Sequence, residues 1–209
     1  MSNNKNATPT KQRILNCAAG LFAAKGFTES SIRELAAAAG LQGSSIYNHF
    51  KNKLEILEYM LEDYERFNSG VFVNETARSI LEVNPTTDGI LSCLQTKFPE
   101  GLADYYFKVL SMILQEQHRN PVVSKHIRSE IIEIAEVRVG VVIDILKDMN
   151  VIRRDADPDF WKKMTSSIFY AFSNRAVLGN GDKSPEYSGL DMEGLLRRLF
   201  DLMFKECAV

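Results

Sequence analysis

Long apolar runs are missing from this chain of 209 residues. Its most apolar stretch, VGVVIDIL at residues 139–146, contains an aspartate and falls far short of the roughly 20 residues that a membrane-crossing helix needs. The first ten residues, MSNNKNATPT, lack the apolar centre of a secretory signal. Cysteine is scarce: Cys17, Cys93 and Cys207 are odd in number and widely spaced, which gives neither a disulfide framework nor a C-x-x-C pair. The expectation is a cytoplasmic protein with reduced thiols and no membrane association. Histidine is scarce too, and His49, His118 and His126 have no H-x-x-x-H spacing. With no nucleophile elbow and no phosphate-binding glycine loop, the sequence predicts no enzyme, no metal and no cofactor. Strand alternation with hairpin turns is absent, as is any internal repeat.

What is present is helical patterning. Thr8 and Pro9 form a cap and first-turn pair. Ile14, Ala18, Leu21 and Phe22 then recur on one face of a 3.6-residue period, and Gly26 closes the segment. Ser31 and Glu34 have the spacing of a capping box. Ile32, Leu35, Ala36 and Ala39 form the stripe of the helix they open, and Gly40 supplies a positive-φ turn. Leu41 is placed as a core plug. A second short helix, from about 42 to 50, buries Ile46 and Phe50 and turns Ser44, Ser45, Tyr47, Asn48, His49 and Lys51 outward. A short helix, a tight turn and a second short helix make a helix-turn-helix, the module whose second helix enters the major groove of DNA.

From Asn52 a longer helix carries Leu54, Leu57, Leu61 and Tyr64 and runs to about 73. Further helices are predicted near 87–97, 101–118, 121–149, 158–178 and 191–206, with loops at 151–158 and 179–189. The expected fold is all-α. A three-helix DNA-binding head, residues 8–53, sits on a larger helical ligand-binding and dimerisation body, residues 54–209. Charge follows that division. Residues 1–53 hold Lys5, Lys11, Arg13, Lys25, Arg33, Lys51 and Lys53 against Glu29 and Glu34, a net of +5, which leaves −7 of the chain's −2 total for the rest. A basic head on an acidic body fits one surface made for a polyanion.

Three segments, TKQRILNCAAGLFAAKGF, SIRELAAAAG and SSIYNHFKNK, resemble the TetR/AcrR family of bacterial transcriptional regulators over about residues 10–57. The I-Y-x-H-F-x-x-K run from Ile46 is the most specific part, and the body is similar to the family only in helical order. The resemblance implies double-stranded DNA as partner. Tyr47 and His49 would contact phosphates, and Lys53 another phosphate, aided by the amides at the start of the linking helix. Gly43, Ser44, Ser45 and Asn48 would face the bases, and Ser31 and Arg33 the opposite strand's backbone. Two departures stand out: Gln42 replaces the common Ser or Thr cap, and Gly43 replaces a common Lys or Arg. Readout is therefore expected through small hydroxyls, backbone amides, DNA shape and Asn48, an adenine reader.

In the body, Tyr105, Met112, Trp161, Phe169 and Phe172 are candidates to line an apolar effector cavity, with Gln115, His118, Asn174 and Arg175 to orient a ligand. Arg175 lies in the apolar run IFYAFSNRAVL, where a buried charge needs a partner such as a ligand carboxylate, Glu116 or Asp144. The resemblance makes the last two helices the dimerisation pair. Leu195, Leu199, Phe200 and Met203 belong to a stripe wider than one face needs, which suggests burial on two sides. The expected protein is a homodimeric repressor of a pseudo-palindromic operator, released by a small apolar or amphipathic effector. Alternatives are a ligand-independent regulator, or a ligand-binding protein that has lost DNA binding.

Overall fold

The computed structural model describes residues 9–71, 74–95, 101–127, 132–178 and 192–209. The N-terminal arm with Thr8, the Pro99 break and the 179–189 loop lie outside these residues. The described part is helical: α1 Pro9–Lys25, α2 Ile32–Ala38, α3 Gly43–Tyr47, α4 Lys53–Val71, α5 Asn74–Val83 and α6 Thr87–Leu94. Then come α7 Ala103–Glu116, α8 Pro121–Ile127, α9 Ile134–Asp148, α10 Pro158–Leu178 and α11 Met192–Cys207. Among the described residues there is no strand, only a single antiparallel bridge between Ile152 and Ala208. None of these helices is long and apolar enough to cross a membrane.

The chain divides into two compact units, residues 1–67 with 98–127 and residues 68–97 with 128–209. In the first, α1 packs on both α2 and α7. Ile14, Leu15, Ala18, Ala19 and Phe22 of α1 are buried, as are Leu35 of α2 and Ile46 of α3. Leu21 and Leu41 are only half-buried, so Leu41 is no plug. On α4, Leu57, Leu61 and Tyr64 point inward as their period requires, joined by Ile56 and Met60, while Leu54 is exposed. Full burial of one such side chain stabilises by about 1.5–3 kcal/mol, so these few positions hold the short helices against α1.

In the second unit α10 lies against α9 and α11, and α11 also packs on α6. Val139, Ile143, Leu146, Trp161, Phe200 and Met203 belong to its core. Polar ties surround that core: Thr87 donates to Asp201 at 2.6 Å, and Arg197 pairs with Asp88 at 2.6 Å.

Candidate nucleic-acid interface

The local geometry of the module follows its sequence closely. Gly26 and Gly40 have φ of 89° and 61°, a region costly for residues with a Cβ. Ser31 caps α2: its hydroxyl accepts from the Glu34 amide at 3.2 Å, and the Glu34 carboxylate accepts from the Ser31 amide at 2.9 Å and hydroxyl at 2.7 Å. Glu34 also pairs with Lys25. The Lys25 ammonium, followed by the Ser31 hydroxyl and amide, holds the Glu34 carboxyl down at about 2. A depressed carboxylate stabilises above its unfolded value near 4.5 and loses that contribution as pH falls through about 2. In an NMR titration, protection of the α2 amides should therefore persist below pH 4.5 and fail near pH 2. Failure near pH 4.5 would mean that Glu34 is not held in the cap.

Helix α3 is shorter than the expected span of 42–50. Gln42 makes no side-chain cap, and after Tyr47 the chain continues as a turn in which the His49 and Phe50 amides both reach the Ile46 carbonyl. That turn still drives Ile46 and Phe50 into the core. It leaves Ser44, Tyr47 and Asn48 exposed and Gly43, Ser45 and His49 half-buried, on the element expected to face DNA.

Lys53 is placed differently from its expected phosphate role. Its ammonium donates to the carbonyls of Phe27 at 2.7 Å, Thr28 at 3.2 Å and Ser30 at 2.7 Å, and lies 4.5 Å from the Phe27 ring centroid. An ammonium has three protons, and all three are directed at the loop between α1 and α2. The start of α4 is likewise occupied. Asn52 accepts from the Glu55 amide at 2.9 Å, and the Glu55 carboxylate accepts from the Lys51 amide. The same loop is held from α7, where buried Glu116 accepts from the Phe27 amide at 2.9 Å. No pattern within residues 31–53 announces this, because the partners lie 23–26 and 89 positions apart.

The cations of the head therefore do different work. Lys25 pairs with Glu34, Lys11 lies 3.7 Å from the Tyr59 ring centroid, and Lys53 holds the loop. Arg33 and Lys51 are exposed and form no ion pair among the described residues. Ser31, whose hydroxyl and amide both serve Glu34, is the cap of α2.

The candidate effector residues divide between the two units. Tyr105 and Met112 are core residues of the first, while Gln115 and His118 on the same stretch are exposed. Burial, then the neighbouring Asp63 charge, pushes the Tyr105 hydroxyl far above the ordinary phenol range and keeps it protonated. In the second unit Trp161 is core, and Phe169 and Phe172 are half-buried. Asn174 donates back to the Tyr170 carbonyl at 2.8 Å. Arg175 is exposed, so the argument from a buried guanidinium falls away. Among the candidate dimer residues, Leu199, Phe200 and Met203 are buried in their own unit and only Leu195 is exposed. The apolar side chains that α10 and α11 do expose include Phe160, Met164, Leu195 and Leu202.

A short capped helix, a glycine turn and a second helix with an exposed polar face define a helix-turn-helix protein on an all-helical scaffold. The family model described as bacterial regulatory proteins of the tetR family matches residues 14–60. The repressor KstR2 of Mycolicibacterium smegmatis is 34% identical over 74 residues, 34% of this chain and 36% of that protein, so the match spans little more than a third of that relative. YvkB of Bacillus subtilis, an uncharacterized helix-turn-helix-type regulator, is 25% identical over 179 residues, 82% of this chain and 86% of that one. The structure of a SmeT–triclosan complex shares the fold with a TM-score of 0.60 at 17% identity, covering 97% of this chain and 93% of that one. Residues 14–60 thus match the DNA-binding domain model of the tetR family of bacterial regulatory proteins, and the whole chain shares the helical fold of solved TetR-family regulators.

Proposed function

We propose that this protein is a cytoplasmic, homodimeric transcriptional repressor that binds a pseudo-palindromic operator through α3 and is released by a small effector held in its helical body. The observation that carries the DNA reading is the exposure of Arg33, Ser44, Tyr47, Asn48 and Lys51, two cations without ion-pair partners among the described residues together with hydroxyl and amide groups. These are the donors that phosphates and base edges accept. Two copies on one face of B-DNA would stand about 34–36 Å apart, or a multiple of that.

The functional division remains a head of residues 8–53 and a body of residues 54–209. Glu116 of α7 grips the loop that follows α1, which provides a direct handle from body to head within the first compact unit. An effector that displaces α7 would move that loop, and by linkage DNA would weaken the effector in return. Triclosan bound to SmeT is a precedent in the fold for a small apolar ligand. KstR2 is a precedent for repression.

Selection of bound sequences from random duplex DNA, repeated with candidate effectors, tests this reading. A symmetric motif is the expected result, and no enriched sequence would refute it. On the selected operator, Arg33→Gln and Lys51→Gln should each lower the slope of log Kobs against log salt by about 1 for each phosphate that is no longer neutralised. Slopes equal to wild type would remove these two residues from the interface.

A further inference from the structure

Gly43 opens α3 at a position where the fold does not ask for glycine. Its φ lies outside the left-handed region, and a Cβ built on it would meet nothing within 4 Å. Glycine weakens a helix relative to alanine, so neither backbone geometry nor packing accounts for it. The bare Cα borders a groove of about 420 Å³ between α2 and α3. Ile32, Ala36 and Leu41 give this groove an apolar lining, and Arg33 and Tyr47 complete its border. Tyr47 is 57% exposed.

We infer that this groove is a thymine-reading recess: Gly43 is kept free of a side chain so that the 5-methyl edge of one thymine in each half-site enters between α2 and α3. The inference rests on the DNA-binding reading above. The 5-methyl is the apolar group that base pairs present in the major groove, and it suits a lining of Ile32, Ala36 and Leu41. Arg33 supplies the complementary charge beside the recess, since it has no acidic partner among the described residues. Gly43 offers no side-chain hydrogen bond to a base, so apolar contact here adds discrimination that the first position of α3 otherwise lacks.

The test uses the full chain and its selected operator, with each thymine replaced in turn by uracil, which removes only the methyl. One symmetric pair of positions should lose affinity by about fourfold per half-site and about fifteenfold together, the worth of one buried carbon. Gly43→Val places a branched side chain at the border of the recess, in the path of the methyl, so the variant should bind thymine and uracil operators equally. Gly43→Ala should raise Tm by about 1–2 °C while weakening the thymine operator.

The inference is overturned if no uracil position weakens binding more than twofold. It is also overturned if Gly43→Val keeps the full thymine preference. Equal loss by Gly43→Val on every duplex tested would instead mark the groove as a seat for the sugar–phosphate backbone, and would equally overturn thymine reading. Failure of wild type to select any DNA would overturn the repressor reading itself, an outcome distinct from the other three.

Discussion

Lys53→Met is expected to lower stability by about 2–4 kcal/mol, because three charge-assisted hydrogen bonds to loop carbonyls disappear at a half-exposed site. For a chain of this size that corresponds to a fall in Tm of about 5–12 °C. DNA affinity should drop on all sequences together, because the loop that leads into α2 loses its anchor while no base contact changes. The salt slope should stay at its wild-type value. A slope lower by about 1 would show that Lys53 leaves the loop and neutralises a phosphate in the complex.

Lys53→Arg separates the two roles more sharply. Arginine keeps the charge and is an excellent phosphate ligand, so a phosphate contact would survive it. Its planar fork cannot aim three protons from one nitrogen at the converging carbonyls of Phe27, Thr28 and Ser30. A positioning role therefore predicts that arginine rescues poorly in both Tm and affinity. Full rescue by arginine would return Lys53 to the DNA interface.

The second large effect concerns assembly. Phe160 is 50% exposed and Leu202 40% exposed, so glutamate at both positions should leave the subunit folded while burying charge in any contact made through these side chains. Sedimentation should then give the 23.6 kDa chain mass instead of twice that value. Operator affinity should fall by about 10²–10⁴, the gain that two tethered sites have over one. Leu199→Ala and Phe200→Ala serve as contrasts. Both residues belong to the core of their own unit, so truncation should cost about 2–5 kcal/mol of stability without splitting the proposed dimer. A double glutamate variant that stays dimeric would put the interface elsewhere.

The differing fortunes of these residues show where sequence reading works. The Ser31–Glu34 box, the turns at Gly26 and Gly40 and the inward Ile46 and Phe50 were all legible. Each depends on neighbours within four positions and on backbone sterics that local sequence sets. The stripe on α11 was legible as too wide for one face, but not as to which residues face which way. Leu199, Phe200 and Met203 turned inward, and Leu195 and Leu202 stayed at the surface. Helical periodicity assigns residues to faces and cannot say which face meets the core. Arg175 misled because an apolar sequence neighbourhood does not bury a residue whose own angular position points to water.

Sequence alone therefore determined that the chain is helical, that residues 31–50 form a helix-turn-helix with a capped first helix, and that its polar side is rich in hydroxyl and amide groups. Those properties arise from contacts a few residues long. Tertiary structure alone decided the work of the charges. Folding brings the start of α4 and the end of α7 to the same loop, so Lys53 and Glu116 become anchors of that loop. It leaves Arg33 and Lys51 as exposed cations without ion-pair partners among the described residues. It also shows that Gly43 answers no need of the backbone and borders the groove between α2 and α3. A charge is used by whatever lies within hydrogen-bond reach in space, and separations of 23–89 residues along the chain carry no local signal of that proximity.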